Sequence, residues 1–329
     1  MASTPSAVPA LEAVVQAGGD HVAPLLERVE RRLVEVAGGH GPELAEHAGA
    51  TIAAGGKRLR PLLVLLAAGP ELPVPCYEGV LNAAVAVELV HSATLVHDDV
   101  LDGAELRRGR PTVVAVAGRR MATATGDLLF SRAFAELARN RRTDQIRVLS
   151  DASSALARGE LLQRADAWKA EIDVDRYLAR CELKTGRLFE AACRLGALAR
   201  GLATDALGDF GRHIGLAFQL LDDVLDVTGP AERTGKHRGT DLLDGTVTLP
   251  LILARERDPA LAAVSLRDVR TPSQAAALCD RIEASGALRS ARSHALDAVA
   301  QAKAALPELG ARQRDALTLV ADGVVERYA

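Results

Sequence analysis

The chain has 329 residues, of which 48% are hydrophobic and only 3% aromatic, and its formal net charge is −3. This near balance of charge gives no reason to expect nucleic acid as the main partner. The four cysteines form no CxxC pair, which argues against a disulfide framework or a zinc site and favours a reducing, cytoplasmic setting. A core of Ala, Leu and Val favours closely packed helices.

The first 20 residues are rich in Ala, Pro, Ser and Gly, and we expect them to form a flexible segment ahead of one domain at 21–329. They lack the basic start and apolar core of a signal peptide. The longest apolar run nearby, residues 62–68, is too short to cross a bilayer, so we expect no transmembrane segment.

Helical periodicity dominates the rest of the chain, and no stretch shows a convincing period-two strand pattern. The connections are short and contain Gly or Pro, and no linker separates two regimes of composition. We therefore predict an all-α fold, a single large helical bundle. Its helices are expected at 25–37, 76–102, 113–138, 145–164, 174–199 and 206–227, with three or four more between 247 and 328.

Two acidic clusters share the pattern DDxxD, HDDVLD at 97–102 and LDDVLD at 221–226. On a helix, positions i and i+4 share a face, so the outer carboxylates of each cluster repel by about 0.2–0.5 kcal/mol if exposed. One such cluster could equally be a solvated helix end. Two copies, each ending an apolar helix, favour a bound hard cation such as Mg²⁺. The carboxylates concerned are Asp98, Asp99, Asp102, Asp222, Asp223 and Asp226.

Basic residues lie beside glycines near both clusters. Arg gives bidentate contacts to phosphate, and Lys supplies a point charge. Each of these residues alone is typical of a solvated surface, but together with the acidic helices they predict a phosphate-lined cavity. The segments are GGKRLRP at 55–61, Arg107-Arg108-Gly109, Lys184-Thr185-Gly186 and Lys236 in a glycine-bounded loop.

With these motifs in this order, the sequence resembles the trans-type isoprenyl diphosphate synthases, the polyprenyl synthetase family. The resemblance runs from residue 55 to 250 and includes the segments at 88–112, 126–127, 215–226 and 235–250. It implies helices around a deep central cavity, usually in a homodimer, and an enzyme that joins an allylic diphosphate to isopentenyl diphosphate. It also implies Mg²⁺ as cofactor, with three ions in each active site.

The resemblance further implies a role for each matching residue. Asp98, Asp99, Asp102, Asp222 and Asp226 would hold Mg²⁺ on the allylic diphosphate, with Asp223 nearby. Arg107, Lys184 and Lys236 would contact the same diphosphate. Gly56, Lys57, Arg60, His91 and Arg108 would bind isopentenyl diphosphate, and Gln219 and Thr185 would face the developing carbocation. The released diphosphate would take the proton, so no side-chain base is required.

Three positions depart from the family pattern. Thr246 stands where the family often has Lys, so one phosphate contact is missing or comes from elsewhere. Gly103 follows the first acidic cluster where polar residues are frequent, and Gly323 replaces a bulky residue near the end of the chain.

The residues before Asp98 bear on product length, because the family places its tunnel for the growing tail there. Ala93 and Thr94, with Val90 one turn further back, supply no bulky plug, which favours a tail longer than short-chain products. Alternatively, these are small core positions, and another helix, for which Phe130 and Phe134 are candidates, forms the floor. A short-chain farnesyl or geranylgeranyl diphosphate synthase therefore stays open.

Two other functions are compatible with parts of the sequence. A class I terpene cyclase shares one DDxxD but normally has an Asn/Ser/Glu metal motif as its second site, whereas this chain has a second DDVLD and keeps GGKRLRP. A non-catalytic subunit of a heteromeric synthase typically loses its acidic motifs, and both are intact here.

Overall fold

The computed structural model describes residues 7–107, 109–202, 204–229 and 237–326. Its described part is almost entirely helical, as the sequence predicts. The helices are α1 (Ala7–Gly18), α2 (Val22–Gly38), α3 (Pro42–Ala53), α4 (Leu59–Ala67), α5 (Tyr77–Asp102), α6 (Val113–Ala138), α7 (Thr143–Asp166), α8 (Val174–Cys181), α9 (Arg187–Arg200), α10 (Asp205–Thr228), α11 (Thr240–Leu243), α12 (Leu249–Arg257), α13 (Pro259–Ala262), α14 (Pro272–Ala284), α15 (Ala287–Ala305) and α16 (Ala311–Glu326).

Helix α5 lies at the centre of the bundle, against α2, α4, α6 and α9. Nearly every residue from Val80 to Val96 is buried, because small Ala and Val side chains let neighbouring helices approach on all sides. Gly103 ends the helix with φ of +63°, a left-handed conformation that glycine adopts without a steric penalty. Asp98 and Asp102 therefore lie in the last turns of a rigid core helix.

Within the described ranges, only Val74–Asp102 is long and apolar enough to cross a membrane, with a mean hydropathy of 1.5 in its most apolar window. The fold buries 78% of that window. A core helix passes the same test of length and composition, so burial decides the interpretation, and α5 is the central core helix of the bundle.

The structure differs from the sequence-based expectation in several places. Ala7–Gly18, inside the segment expected to be flexible, forms helix α1, which packs against α16. A short antiparallel hairpin joins α5 to α6, with strands β1 (Leu106–Arg107) and β2 (Arg110–Pro111). The helix predicted at 174–199 is divided by a π-helical segment, Glu182–Gly186. Such segments depend on tertiary packing, which periodicity does not register.

Candidate active site between two acidic helices

The first acidic cluster meets α7 and the π-helical segment. Arg164 on α7 donates to Asp102 at 2.5 Å and to Glu160, one turn away, at 2.8 Å. Lys184 in the π-helical segment donates to Glu160 at 2.6 Å, and its Nζ lies 3.9 Å from Asp98 Oδ2. We call these five residues, Asp98, Asp102, Glu160, Arg164 and Lys184, the charge cluster.

Asp98 is the least satisfied carboxylate of the charge cluster. Burial raises its pKa to about 6, although Lys184 acts in the opposite direction. For Lys184, burial lowers the pKa, but Asp98 and Glu160 outweigh it and hold the pKa above its usual value. Because Glu160 takes the short contact with Lys184, the Lys184 ammonium lies 3.9 Å from Asp98, within ion-pair distance but too far for a hydrogen bond.

Asp99 points to another side of α5, as expected for its position next to Asp98. It is buried and accepts a hydrogen bond from Arg107 Nε at 2.7 Å. Both residues line a cavity of about 300 Å³ that also includes His91, Arg58 and Glu88. The wall is completed by α3 and the hairpin, so this cavity adjoins the first acidic cluster on its other side.

The second acidic cluster also divides its carboxylates between two environments. Asp222 is exposed and Asp226 half-buried, one turn apart on α10. Asp223 is buried, and it accepts hydrogen bonds from Tyr177 at 2.6 Å and from Gln219 at 2.7 Å. Burial raises the pKa of Asp223, and these two donors oppose that shift. Asp223 therefore anchors α10 against α8, while its neighbours stay accessible.

Two consecutive residues of the π-helical segment connect the acidic helices. Lys184 contacts the first cluster, and Thr185 donates to Gln219 at 2.7 Å, which in turn holds Asp223. A π turn widens the helix by one residue, so that adjacent side chains can serve different partners, and such turns are frequent at functional sites. The two DDxxD motifs thus lie on either side of one short segment.

Arg58, the middle residue of GGKRLRP, holds this segment in place through its side-chain hydrogen bonds. Arg58 has φ of +47° and donates to Glu30, Glu88 and the carbonyl of Ile52. The guanidinium of Arg60 lies 4.5 Å from the centre of the Phe189 ring. Lys57 and Gly56 are exposed. Arg58 therefore has a structural part in this loop, which presents Lys57 to solvent.

The predicted tunnel residues fall in two groups. Val90 and Ala93 are fully buried on α5, and the hydroxyl of the half-buried Thr94 donates to the carbonyl of His91. Phe130 and Phe134 are half-buried on α6, with ring centres 5.9 Å apart. Arg108 and Lys236 lie outside the described residues.

Sequence reasoning missed three residues of this site, Glu160, Arg164 and Tyr177. Glu160 and Arg164 are spaced i, i+4 on a helix that was predicted, which signals a shared face. Nothing in the sequence indicated that this face meets Asp102, which is 62 residues away.

A second, larger groove of about 520 Å³ lies between α7 and α9. It is lined by Arg147, Arg158 and other solvent-accessible charged residues, and none of the DDxxD carboxylates lines it.

The donor set fits a magnesium site completed by substrate. No three carboxylate, His or Cys side chains in the described ranges come together as a metal cage. Mg²⁺ usually takes one or two protein carboxylates and fills its octahedron with phosphate oxygens and water. Asp98 and Asp102, one turn apart, provide that kind of partial site, since Asp98 has only a 3.9 Å ion pair with Lys184.

The raised pKa of Asp98 predicts an unusual pH dependence in metal-free protein. Between about pH 4, where an unfolded Asp ionises, and about pH 6, the folded state keeps a proton that the unfolded chain releases. The free energy of unfolding should therefore fall as pH rises through this window. Asp98→Asn should remove that loss and be more stable than wild type at pH 7 by roughly 1–3 kcal/mol, and equally stable near pH 4. Urea denaturation in EDTA at both pH values measures this, and equal stabilities at pH 7 would contradict it.

Comparison with known proteins matches residues 42–281 to the Polyprenyl synthetase family. The chain belongs to this family. It is 40% identical over 290 residues to "Heptaprenyl diphosphate synthase component 2" of Geobacillus stearothermophilus, covering 87% of this chain and 88% of the relative. It is 42% identical over 213 residues to a geranylgeranyl diphosphate synthase of Methanosarcina mazei, covering 62% of this chain and 65% of the relative.

A solved structure of similar fold is the polyprenyl synthase of Caulobacter crescentus, complexed with calcium and isoprenyl diphosphate. The TM-score is 0.89 at 35% identity, and 97% of this chain and 98% of that one are covered. This member of the polyprenyl synthetase family is thus a prenyltransferase with the family's all-helical fold. The names of its relatives include geranylgeranyl, heptaprenyl and solanesyl diphosphate synthases, so family membership leaves the product length open.

Proposed function

We propose that this chain condenses an allylic diphosphate, such as geranyl, farnesyl or geranylgeranyl diphosphate, with isopentenyl diphosphate to give a longer trans-polyprenyl diphosphate. The observation that supports this most is the π-helical segment. Its adjacent Lys184 and Thr185 reach the first acidic cluster and, through Gln219, the second. That arrangement suits one diphosphate held between two carboxylate-bearing helices.

The carboxylates proposed to hold three Mg²⁺ ions are Asp98, Asp99, Asp102, Asp222 and Asp226. When bound, these ions would neutralise the charge that develops on the leaving diphosphate. Lys184 would add a positive charge beside Asp98. Arg107 and Lys236 are proposed as further contacts of the same diphosphate, with Arg107 reaching it from the cavity that it lines together with Asp99. Asp223 is proposed to act by positioning, because its oxygens already accept hydrogen bonds from Tyr177 and Gln219.

Isopentenyl diphosphate would bind on the other side of α5, near the GGKRLRP loop. Lys57, Arg60 and His91 supply charge and hydrogen bonds there, with Gly56 and Arg108 as further proposed contacts. His91 lines the cavity that also contains Arg107 and Asp99. The side-chain amide of Gln219 and the hydroxyl of Thr185 offer oxygen dipoles toward a carbocation. The apolar core around α5 would exclude water that could quench the cation.

The assay that tests this proposal uses the purified chain alone. It is incubated with Mg²⁺, isopentenyl diphosphate and each of the three allylic primers in turn, and products are identified by mass. We expect products that are longer than the primer by whole five-carbon units, with no product in EDTA. Cyclic or hydrolysed primer without consumption of isopentenyl diphosphate would instead support a terpene cyclase.

A second candidate is a catalytic or supporting subunit of a heteromeric synthase, since two relatives are named component 2 of a heptaprenyl diphosphate synthase. We propose a cytoplasmic homodimer instead. Both DDxxD motifs, GGKRLRP and KTG are present in this one chain, which argues against a non-catalytic subunit, and the lack of a CxxC pair suits a reducing compartment. Activity of the pure chain distinguishes the two, and its mass in solution by light scattering reports the dimer. A purified, folded chain with no activity would favour the heteromeric alternative.

Product length is proposed to be medium or long, because Ala93, Val90 and Thr94 present no bulky side chain. Ala93→Phe should shorten the product by filling the space next to α5, at a cost of about 1–3 kcal/mol in stability if the core must shift. Ala93→Ser, of similar size, is the control and should leave the distribution unchanged. Product mass decides, and an unchanged length in folded Ala93→Phe would remove Ala93 from the tunnel.

A further inference from the structure

Arg164 is the one cation of the charge cluster that the mechanism above does not use. Its guanidinium donates both to Asp102 and to Glu160, so it links the first acidic cluster to α7. The contact is not local, since Arg164 and Asp102 are 62 residues apart in the chain. An arginine that binds a proposed metal ligand at 2.5 Å occupies space and charge that a cation would otherwise take.

The two cations of the charge cluster differ in how easily they can leave. Lys184 is 26% exposed and lies between Glu160 and Asp98, whereas Arg164 is 41% exposed at the edge of the site. A long side chain at a solvent-accessible position can swing into water at little cost. Arg164 is therefore the cation that can be displaced, and Lys184 the one that stays.

The charges lead to the same assignment. The charge cluster contains three carboxylates and two cations, so it carries one net negative charge when all are ionised. A divalent ion that enters while Arg164 stays in place would give it an excess of positive charge. Departure of Arg164 would restore neutrality, and it would free Asp102 to serve as a ligand.

We propose that Arg164 is an internal counter-cation that holds Asp102 in the metal-free state and must be displaced when a divalent ion binds, so that it sets the metal affinity of the first acidic cluster. This inference rests on the metal site of the proposed function. It gives Arg164 a positioning role, since it acts through Asp102 and not on the reacting atoms.

The test measures metal binding without substrate. Mn²⁺, a hard divalent ion that suits oxygen ligands, is titrated into metal-free protein, and the free ion is followed by electron paramagnetic resonance. Arg164→Gln should tighten Mn²⁺ binding by about two- to fivefold, the range expected for loss of one partly exposed ion pair. Arg164→Lys should lie between wild type and Arg164→Gln, because a single ammonium cannot reproduce the two-carboxylate contact.

Arg158→Gln is the matched control. It removes the same charge from the same helix, but Arg158 is exposed in the groove between α7 and α9 and outside the charge cluster. Its Mn²⁺ affinity should equal that of wild type. If Arg158→Gln tightens binding as much as Arg164→Gln, the effect is one of overall charge and the proposal fails.

Two further outcomes would overturn the proposal. One is an Arg164→Gln variant whose Mn²⁺ affinity equals or falls below that of wild type. The other is unchanged Mn²⁺ affinity with a raised KM for the allylic diphosphate, which would make Arg164 a substrate ligand. A failure of the prenyl transfer assay would be a separate result. If Arg164→Gln binds Mn²⁺ more tightly and adding Asp102→Asn abolishes that gain, the role of Arg164 as counter-cation is supported even in a chain of different function.

Discussion

Asp98→Asn should lower kcat by at least about 10²–10³-fold, the loss typical of removing one group that stabilises developing charge in a transition state. Asn keeps the size of the side chain but cannot supply a full negative charge to a metal ion. The same variant is expected to be more stable than wild type at pH 7 without metal, since burial penalises the Asp98 carboxylate. Loss of activity with gain in stability would exclude misfolding as the cause.

Steady-state rates with saturating Mg²⁺ and both substrates measure this effect. Asp222→Asn, on the opposite acidic helix, should lower kcat by a similar factor. The fold-loss in kcat of the double variant should be far smaller than the product of the two single fold-losses, because the carboxylates act as a unit. Asp151→Asn is the control, since Asp151 is an exposed acid in the α7–α9 groove. Activity of Asp98→Asn within tenfold of wild type would contradict a metal-binding role for Asp98.

Gly159→Ala should have the second large effect, because it disturbs the π-helical segment. An added Cβ would lie 2.6 Å from the backbone nitrogen of Lys184 and 2.8 Å from its Cα, distances that real Cβ atoms do not show. Backbone must therefore move, at a cost of about 1–3 kcal/mol. Displacing Lys184 by about 1 Å should lower kcat by about 10²-fold, since both acidic clusters depend on this segment.

Gly49→Ala in α3 is the matched control for Gly159→Ala. An added Cβ at Gly49 meets nothing within 4 Å, so the substitution should stabilise the protein by up to about 1 kcal/mol through helix propensity and leave activity unchanged. Thermal unfolding should show a loss of stability in Gly159→Ala and a gain in Gly49→Ala, and kcat should fall only in Gly159→Ala. Wild-type activity in Gly159→Ala would show that close packing against Lys184 is not needed for catalysis.

The long helices were predictable because their apolar residues follow one period. The predicted helix at 113–138 has the same bounds as α6, although Gly118, with φ of +79°, kinks α6. The predicted helix at 76–102 differs from α5 by one residue at one end, and the one at 206–227 differs from α10 by one residue at each end. The π-helical segment and helix α1 were not predictable in this way. Their conformations depend on contacts such as those of Gly159 with Lys184 and of α1 with α16, which join distant parts of the chain.

The candidate site was predictable as a set of residue types, but not as a set of partners. Spacing within one helix places Asp98 over Asp102, and the family resemblance assigns both to metal. The spacing does not identify the partner of each carboxylate. In the structure Arg107 binds Asp99, Arg164 binds Asp102, and the buried Asp223 accepts hydrogen bonds from Tyr177 and Gln219. Arg58, inside a motif expected to bind phosphate, supports its own loop through Glu30 and Glu88.

By itself, the sequence determined the helical class, the two acidic motifs and the family, because helical period and motif spacing are local properties of a chain. Only the tertiary structure decided which cation faces which carboxylate, and that Glu160, Arg164 and Tyr177 belong to the site. Those pairings bring together residues tens of positions apart. They arise from the packing of whole helices, whose relative rotation no local pattern encodes.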